Sequence, residues 1–156
     1  MKDETLITPT PTIAWTEGRV RLIDQTKLPL EEEYIETDDY TIVCDAILRL
    51  AIRGAPAIGV AGAYACVLAS NKIEINSLDE FKQSFAQKAD EIGETRPTAV
   101  NLKWAVNKMI NCARSFEGDV HQLKNNLLEL AHDIREDDLE RCHSLSLHGA
   151  DVVPED

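Results

Sequence analysis

Basic residues are scarce in this sequence: 16 lysines and arginines stand against 28 aspartates and glutamates, a formal net charge of −12. So acidic a chain repels polyanions over most of its surface, which argues against nucleic acid or an anionic membrane as partners. An anionic metabolite can still bind where local cations overcome that field. Aromatic residues are few as well, with three phenylalanines, three tyrosines and two tryptophans, so the core has to be mainly aliphatic. Long uncharged apolar runs of the roughly 20 residues a membrane helix needs are missing. The stretch from Leu50 to Ser70 comes closest, but it is rich in Gly and Ala and carries Arg53 and Pro56, as a buried helix of a soluble protein would. The four cysteines (Cys44, Cys66, Cys112 and Cys142) form no CxxC pair, and the leading MKDETLITP is charged and lacks an apolar core. Reduced thiols in a cytoplasmic protein without a secretory leader are therefore expected.

What is present is a globular composition, 44% apolar and 28% charged, in a chain of 156 residues that can bury a real core. The expected class is α+β, a single domain over 1–156 with a β-rich segment at 1–37 and a helical bundle at 38–150. Ile13 to Trp15 and Val20 to Ile23 flank a turn at Thr16-Glu17-Gly18, and Tyr34-Ile35 reads as a third strand behind the exposed Glu31 to Glu33. Helical spacing then takes over. Asp38 or Asp39 caps a first helix with Val43, Ala46, Ile47 and Leu50 on one face. A second runs from about Pro56 to Ser70. Ser77 and Glu80 form a capping box for a third, which Gly93 stops. Pro97 starts a fourth that carries Val100, Trp104, Cys112 and Phe116. A fifth begins near Asp119, carries Val120, Leu123, Leu127, Ala131 and Ile134, and extends toward Gly149.

The segment RGAPAIG, Arg53 to Gly59, carries the most chemistry. Arg53 holds the only formal charge between Leu50 and Asn71, directly before Gly54-Ala55-Pro56. Proline suits the start of a helix, glycine lets a backbone approach a ligand, and the first amides of a helix point at an anion. A phosphate fits that arrangement. So does the plainer reading of a tightly packed buried helix with a proline start. TRPTA, Thr95 to Ala99, repeats the order of arginine then proline. If both segments face one cleft, Arg53 and Arg96 converge on a single dianion with their planar forks. Alone, Arg96 would read as a surface ion pair with Glu94 or Glu91. Gly59, Ala61, Gly62, Ala63 and Ala65 would let neighbouring helices approach closely.

His121, His132 and His143 recur every eleven residues, about 16 Å apart along a helix. That is too far to share a metal, and they read as exposed helix histidines. Cys142 and His143 are neighbours whose side chains diverge on a helix. Cys44 and Cys66 sit among apolar residues as small core groups. The paired carboxylates (Asp38-Asp39, Asp137-Asp138, Glu31 to Glu33) lie in solvated runs and offer no acid–base pair. No cofactor and no metal are expected.

RGAPAIG at 53–59 followed by VAGAY, TRPTAVNLKWA at 95–105 and IDQTKLP at 23–29 together resemble the N-terminal half of the S-methyl-5-thioribose-1-phosphate isomerases. The wider family includes ribose-1,5-bisphosphate isomerase and the regulatory subunits of the eukaryotic initiation factor that exchanges guanine nucleotide. The resemblance implies aldose-to-ketose isomerisation in methionine salvage, a phosphorylated sugar as ligand and a homodimeric full-length protein. It places Arg53, Gly54 and Ala55 against the substrate and Arg96 on its phosphate side. The family's catalytic cysteine lies in a Thr-x-Cys-Asn-x-Gly segment, and its catalytic aspartate lies in a Rossmann-like second domain. None of the four cysteines here matches that segment. The expectation is therefore a substrate-binding domain, inactive alone, ending at Asp156 before the catalytic groups. The rival expectations are a non-enzymatic regulatory subunit and a ribose-1,5-bisphosphate isomerase.

Overall fold

A computed structural model describes residues 11–153. Three strands, β1 (Ile13–Thr16), β2 (Arg19–Ile23) and β3 (Tyr34–Thr37), form an antiparallel sheet in sequence order. Thr16 pairs with Arg19, leaving a two-residue turn in which both Glu17 and Gly18 have positive φ (49° and 82°). Such a turn matches the right-handed twist of the strands it joins. Val20 and Leu22 point inward and are fully buried, while Arg19 and Arg21 alternate outward.

Five helices follow: α1 (Tyr40–Leu48), α2 (Ala55–Asn71), α3 (Leu78–Gly93), α4 (Val100–Ser115) and α5 (Val120–Ala150). Helix α2 is the axis of the fold, with α1, α3, α4, α5 and β1 packed on it. Every residue from Ile58 to Ser70 is buried, as expected of a helix apolar on all sides. Close approach of α4 depends on two glycines of α2. A Cβ at Gly59 would stand 3.0 Å from the Asn101 carbonyl oxygen, and one at Gly62 would press into Leu102. No helix among the described residues is long and apolar enough to cross a membrane.

Four local expectations are corrected. Helix α1 is capped by Asp39, whose Oδ1 accepts from the Thr41 amide at 2.9 Å, but it ends before Leu50. Leu50 adopts a left-handed φ of 63°, and the Ala51 amide donates back to the Ala46 carbonyl at 2.9 Å. This is the Schellman arrangement usually given to glycine. In leucine it costs about 1–2 kcal/mol, and it turns the side chain outward, 41% exposed.

The capping box at Ser77 does not form. Ser77 precedes α3 without a side-chain hydrogen bond, whereas Asp119 and Gln122 form a complete box at the start of α5. Gly93 closes α3 with helical φ and serves packing, its Cα facing Val106.

Pro97 does not begin α4. It occupies a turn in which the Ala99 amide donates to the Arg96 carbonyl at 2.9 Å, and the helix starts at Val100. Val100 and Trp104 are consequently 78% and 44% exposed. The buried stripe is Leu102, Ala105, Val106, Met109, Ile110 and Ala113, a denser match to the helical period.

His132 is not exposed. It is half-buried and shares a hydrogen bond of 3.0 Å with the hydroxyl of Tyr64. Helix α5 runs unbroken through Asp137-Asp138, yet beyond Ile134 none of its residues is buried.

Candidate functional site

The α1–α2 connection, Arg49 to Gly54, and the α3–α4 turn, Glu94 to Ala99, stand side by side at one end of α2. Between them lies a cleft of about 340 Å³ lined by Leu50, Arg53, Gly54, Ala55, Ile58, Arg96, Ala99 and Asn101. All four residues singled out from the sequence are in that lining. The local reason differs for each side. Gly54 precedes α2 with a φ of 89° and open space around a would-be Cβ, so glycine is required there by conformation rather than by crowding. Ala55 and Pro56 then open the helix, and no side chain caps its first amides. Arg96 comes from the turn that Pro97 stabilises, not from a helix start.

The electrostatics favour an anion. Among the described residues neither arginine has a carboxylate partner within ion-pair distance. Glu94, two residues before Arg96 in the sequence, holds Lys103 at 3.0 Å instead. Arg53 donates from Nε to the Leu50 carbonyl at 3.1 Å, which leaves its terminal nitrogens for a ligand. The start of α2 adds its partial positive charge, and the apolar walls (Leu50, Ile58 and Ala99) lower the local dielectric and strengthen each contact. Among the described residues no carboxylate, thiol or imidazole lines the cleft. The side chains that do line it are equipped to bind and orient an anion.

A second groove, about 260 Å³, adjoins the first and shares Asn101. Pro56, Gly59, Val60, Trp104, Ile134 and Leu145 make it mostly apolar; its cation, Arg141, is taken by Asp137 at 2.7 Å. It does not suit a phosphate, and Trp104 therefore stands beside the arginine cleft rather than within it. Among the described residues no three His, Cys, Asp or Glu side chains gather into a metal site.

The sequence reading missed Asp24. Its side chain is 7% exposed. One oxygen accepts from the amide and hydroxyl of Thr26 at 3.0 and 2.6 Å, and the other from Arg49 at 2.9 Å. Burial pushes this carboxyl up, but the hydrogen bonds from Thr26 and Arg49 outweigh it and hold the group below its ordinary value. The D-x-T spacing within IDQTKLP is a side-chain turn signature that could have marked it.

Comparison with known proteins shows the family of the chain. The model of the Initiation factor 2 subunit family matches residues 51–156. The methylthioribose-1-phosphate isomerase of Synechocystis sp. is 43% identical over 142 residues, which cover 91% of this chain and 40% of that protein. The enzyme of the same name from Pelotomaculum thermopropionicum is 45% identical over 146 residues, covering 92% and 40%. Among solved structures, 5-methylthioribose 1-phosphate isomerase from Pyrococcus horikoshii OT3 superposes with a TM-score of 0.89 at 30% identity, over 95% of this chain and 42% of that one. The translation initiation factor eIF-2B subunit delta from A. fulgidus gives 0.78 at 41% identity, over 85% and 38%. The chain thus spans about 40% of the length of the curated relatives it matches. Its three-stranded sheet and five helices correspond to the N-terminal domain of the isomerase fold. This chain belongs to the Initiation factor 2 subunit family.

Proposed function

We propose that this chain is the substrate-binding part of an aldose–ketose isomerase that converts 5-methylthioribose 1-phosphate to 5-methylthioribulose 1-phosphate, a step of methionine salvage. The observation that carries the reading is the meeting of Arg53 and Arg96 in one cleft, both without a carboxylate partner among the described residues. Arg53 and Arg96 grip the phosphate with charge-assisted hydrogen bonds, and Gly54 and Ala55 present the backbone at the start of α2. A phosphate on the anomeric carbon keeps the sugar ring from opening freely, so holding it is a precondition of the reaction. The hydrogen shift between C2 and C1 needs acid–base groups, which the lining lacks among the described residues, and this chain is read as inactive alone. The names of its relatives support the substrate. The reading takes the working protein to be cytoplasmic and homodimeric. The absence of disulfides among the described cysteines agrees with the first, and light scattering tests the second.

Isothermal titration of the chain with 5-methylthioribose 1-phosphate tests the proposal. Saturable binding is expected, and Arg53→Ala and Arg96→Ala should each weaken it by about 1.5–3 kcal/mol, the usual worth of a hydrogen bond to a charged group. Unchanged affinity in both variants would remove the cleft from the substrate site. No binding at millimolar ligand by the folded chain would favour an interaction module like the initiation-factor subunits. Preference for ribose 1,5-bisphosphate would move the assignment to that isomerase.

A further inference from the structure

We propose that Asp24 is the positioning residue for Arg53, acting through Arg49 and the strained Leu50, a role that rests on Arg53 being the phosphate ligand proposed above. Leu50 contributes to the cleft in two ways. Its side chain lines the wall, and its carbonyl accepts the Nε–H of Arg53 at 3.1 Å, which sets the direction of the guanidinium. Yet Leu50 sits in a left-handed conformation (φ 63°) that leucine adopts only when its surroundings hold it there.

The hold comes from the IDQT turn on both flanks of Leu50. On one side Asp24 accepts from the Arg49 guanidinium at 2.9 Å, while Arg49 Nε also donates to Asp45 at 2.9 Å. On the other side the Gln25 amide donates to the Ala51 carbonyl at 2.8 Å. Asp24 itself is fixed by Thr26 and buried, so the clamp is anchored in the sheet end rather than in solvent. An aspartate nearly devoid of solvent that spends one oxygen on its own turn and the other on Arg49 is arranged to define where the 49–53 segment lies. The sequence IDQTKLP thereby acquires a task at the cleft without touching the ligand.

The test uses the full 156-residue chain, ribose 1-phosphate as the probe and the ¹⁵N resonances of the arginine Nε–H groups. Asp24→Asn keeps the shape and weakens the ionic hold; Arg49→Gln breaks the same link from its solvent-facing end and serves if the first variant does not fold. Each should move the Arg53 Nε–H resonance while leaving that of Arg96 in place. Each should weaken the probe about tenfold, within the range for coupled neighbours. In an Arg53→Ala background, Asp24→Asn should cost no further affinity, because its effect passes through Arg53. A merely structural role would weaken both backgrounds alike and move both arginine resonances, and that outcome overturns the proposal. If Arg53→Ala loses the probe but neither Asp24→Asn nor Arg49→Gln shifts Arg53, the positioning role fails and the phosphate site stands. If Arg53→Ala binds as the parent does, the phosphate site fails and the positioning role with it.

Discussion

The hydroxyl of Tyr64, on α2, lies 3.0 Å from Nδ1 of His132, on α5, and the indole of Trp15 from β1 stacks on the phenol at 5.4 Å between ring centroids. Three elements far apart in the chain are joined at this one point. It is the only aromatic cluster among the described residues that ties the sheet to the helices. Burial leaves the phenol no exposed surface, and it raises the pKa of Tyr64 to about 12.

Removing the hydroxyl should therefore have two consequences. Tyr64→Phe keeps the stacking and loses the hydrogen bond, for a cost of about 1 kcal/mol. It should also change the alkaline limb. With the folded value raised above the unfolded one, near 10, the native state holds its proton longer than the unfolded state does. That contribution is complete below pH 10 and is lost as the pH rises through 12. Urea titrations between pH 9 and 12 should show the parent losing stability more steeply than the phenylalanine variant. Parallel slopes would contradict the assignment.

The contrast between His132 and its neighbours shows where a sequence stops being informative. His121 and His143 are exposed, as helix histidines usually are, but His132 meets residues 68 and 117 positions away, which no local pattern encodes. The strands and the five helices were legible because periods of two and 3.6 are local. Pro97 misled for a local reason: the same ring fits the first turn of a helix and the second position of a β-turn. Leu50 could not be foreseen, since its left-handed φ contradicts its own preference and is imposed by contacts from residues 24 and 25. Arg53 and Arg96 were each legible as candidates; that they share a cleft is a fact of how α2 packs on α4.

That packing can be tested at Gly59. A Cβ there would lie 3.0 Å from the Asn101 carbonyl oxygen, a backbone atom at the start of α4 that cannot step aside. Overpacking of this kind costs about 1–3 kcal/mol, against which alanine regains up to about 1 kcal/mol of helix propensity. Gly59→Ala should be net destabilising in thermal melts and should weaken sugar-phosphate binding, since Asn101 lines the cleft. Gly149→Ala is the control, because a Cβ at that position meets nothing within 4 Å. A stabilised Gly59→Ala would mean that α4 sits farther from α2 than described.

Thiol reactivity should follow burial. Cys142 is exposed, Cys44 and Cys112 are half-buried, and Cys66 is fully enclosed in α2. Burial raises the thiol pKa of the last three and most of all that of Cys66, so less of the reactive thiolate is present. Native chain treated with Ellman's reagent should release one equivalent quickly from Cys142, two more slowly, and the Cys66 equivalent only on unfolding. Peptide mapping that found Cys66 modified as fast as Cys142 would place α2 at the surface.

The ion pair between Lys103 and Glu94 bears on the cleft although neither residue lines it. Both are well exposed, 44% and 64%, so as a stabilising contact the pair is worth at most about 1 kcal/mol. Its larger consequence is what it withholds: Glu94 stands two residues from Arg96 and is its nearest carboxylate in sequence. With the ammonium removed and the stem kept, as in Lys103→Met, Glu94 is released to compete with phosphate for the Arg96 guanidinium. Binding of ribose 1-phosphate should then weaken by up to about 1 kcal/mol, or roughly fivefold. Because exposed charges are screened, the loss should shrink as salt rises from 20 mM to 500 mM, about a fivefold shortening of the screening length. Adding Glu94→Gln should restore the affinity, whereas a general loss of cation near the cleft would persist in the double variant. Should Lys103→Met bind as the parent does, Arg96 is kept available by its turn alone, through the Ala99 amide and the ring of Pro97.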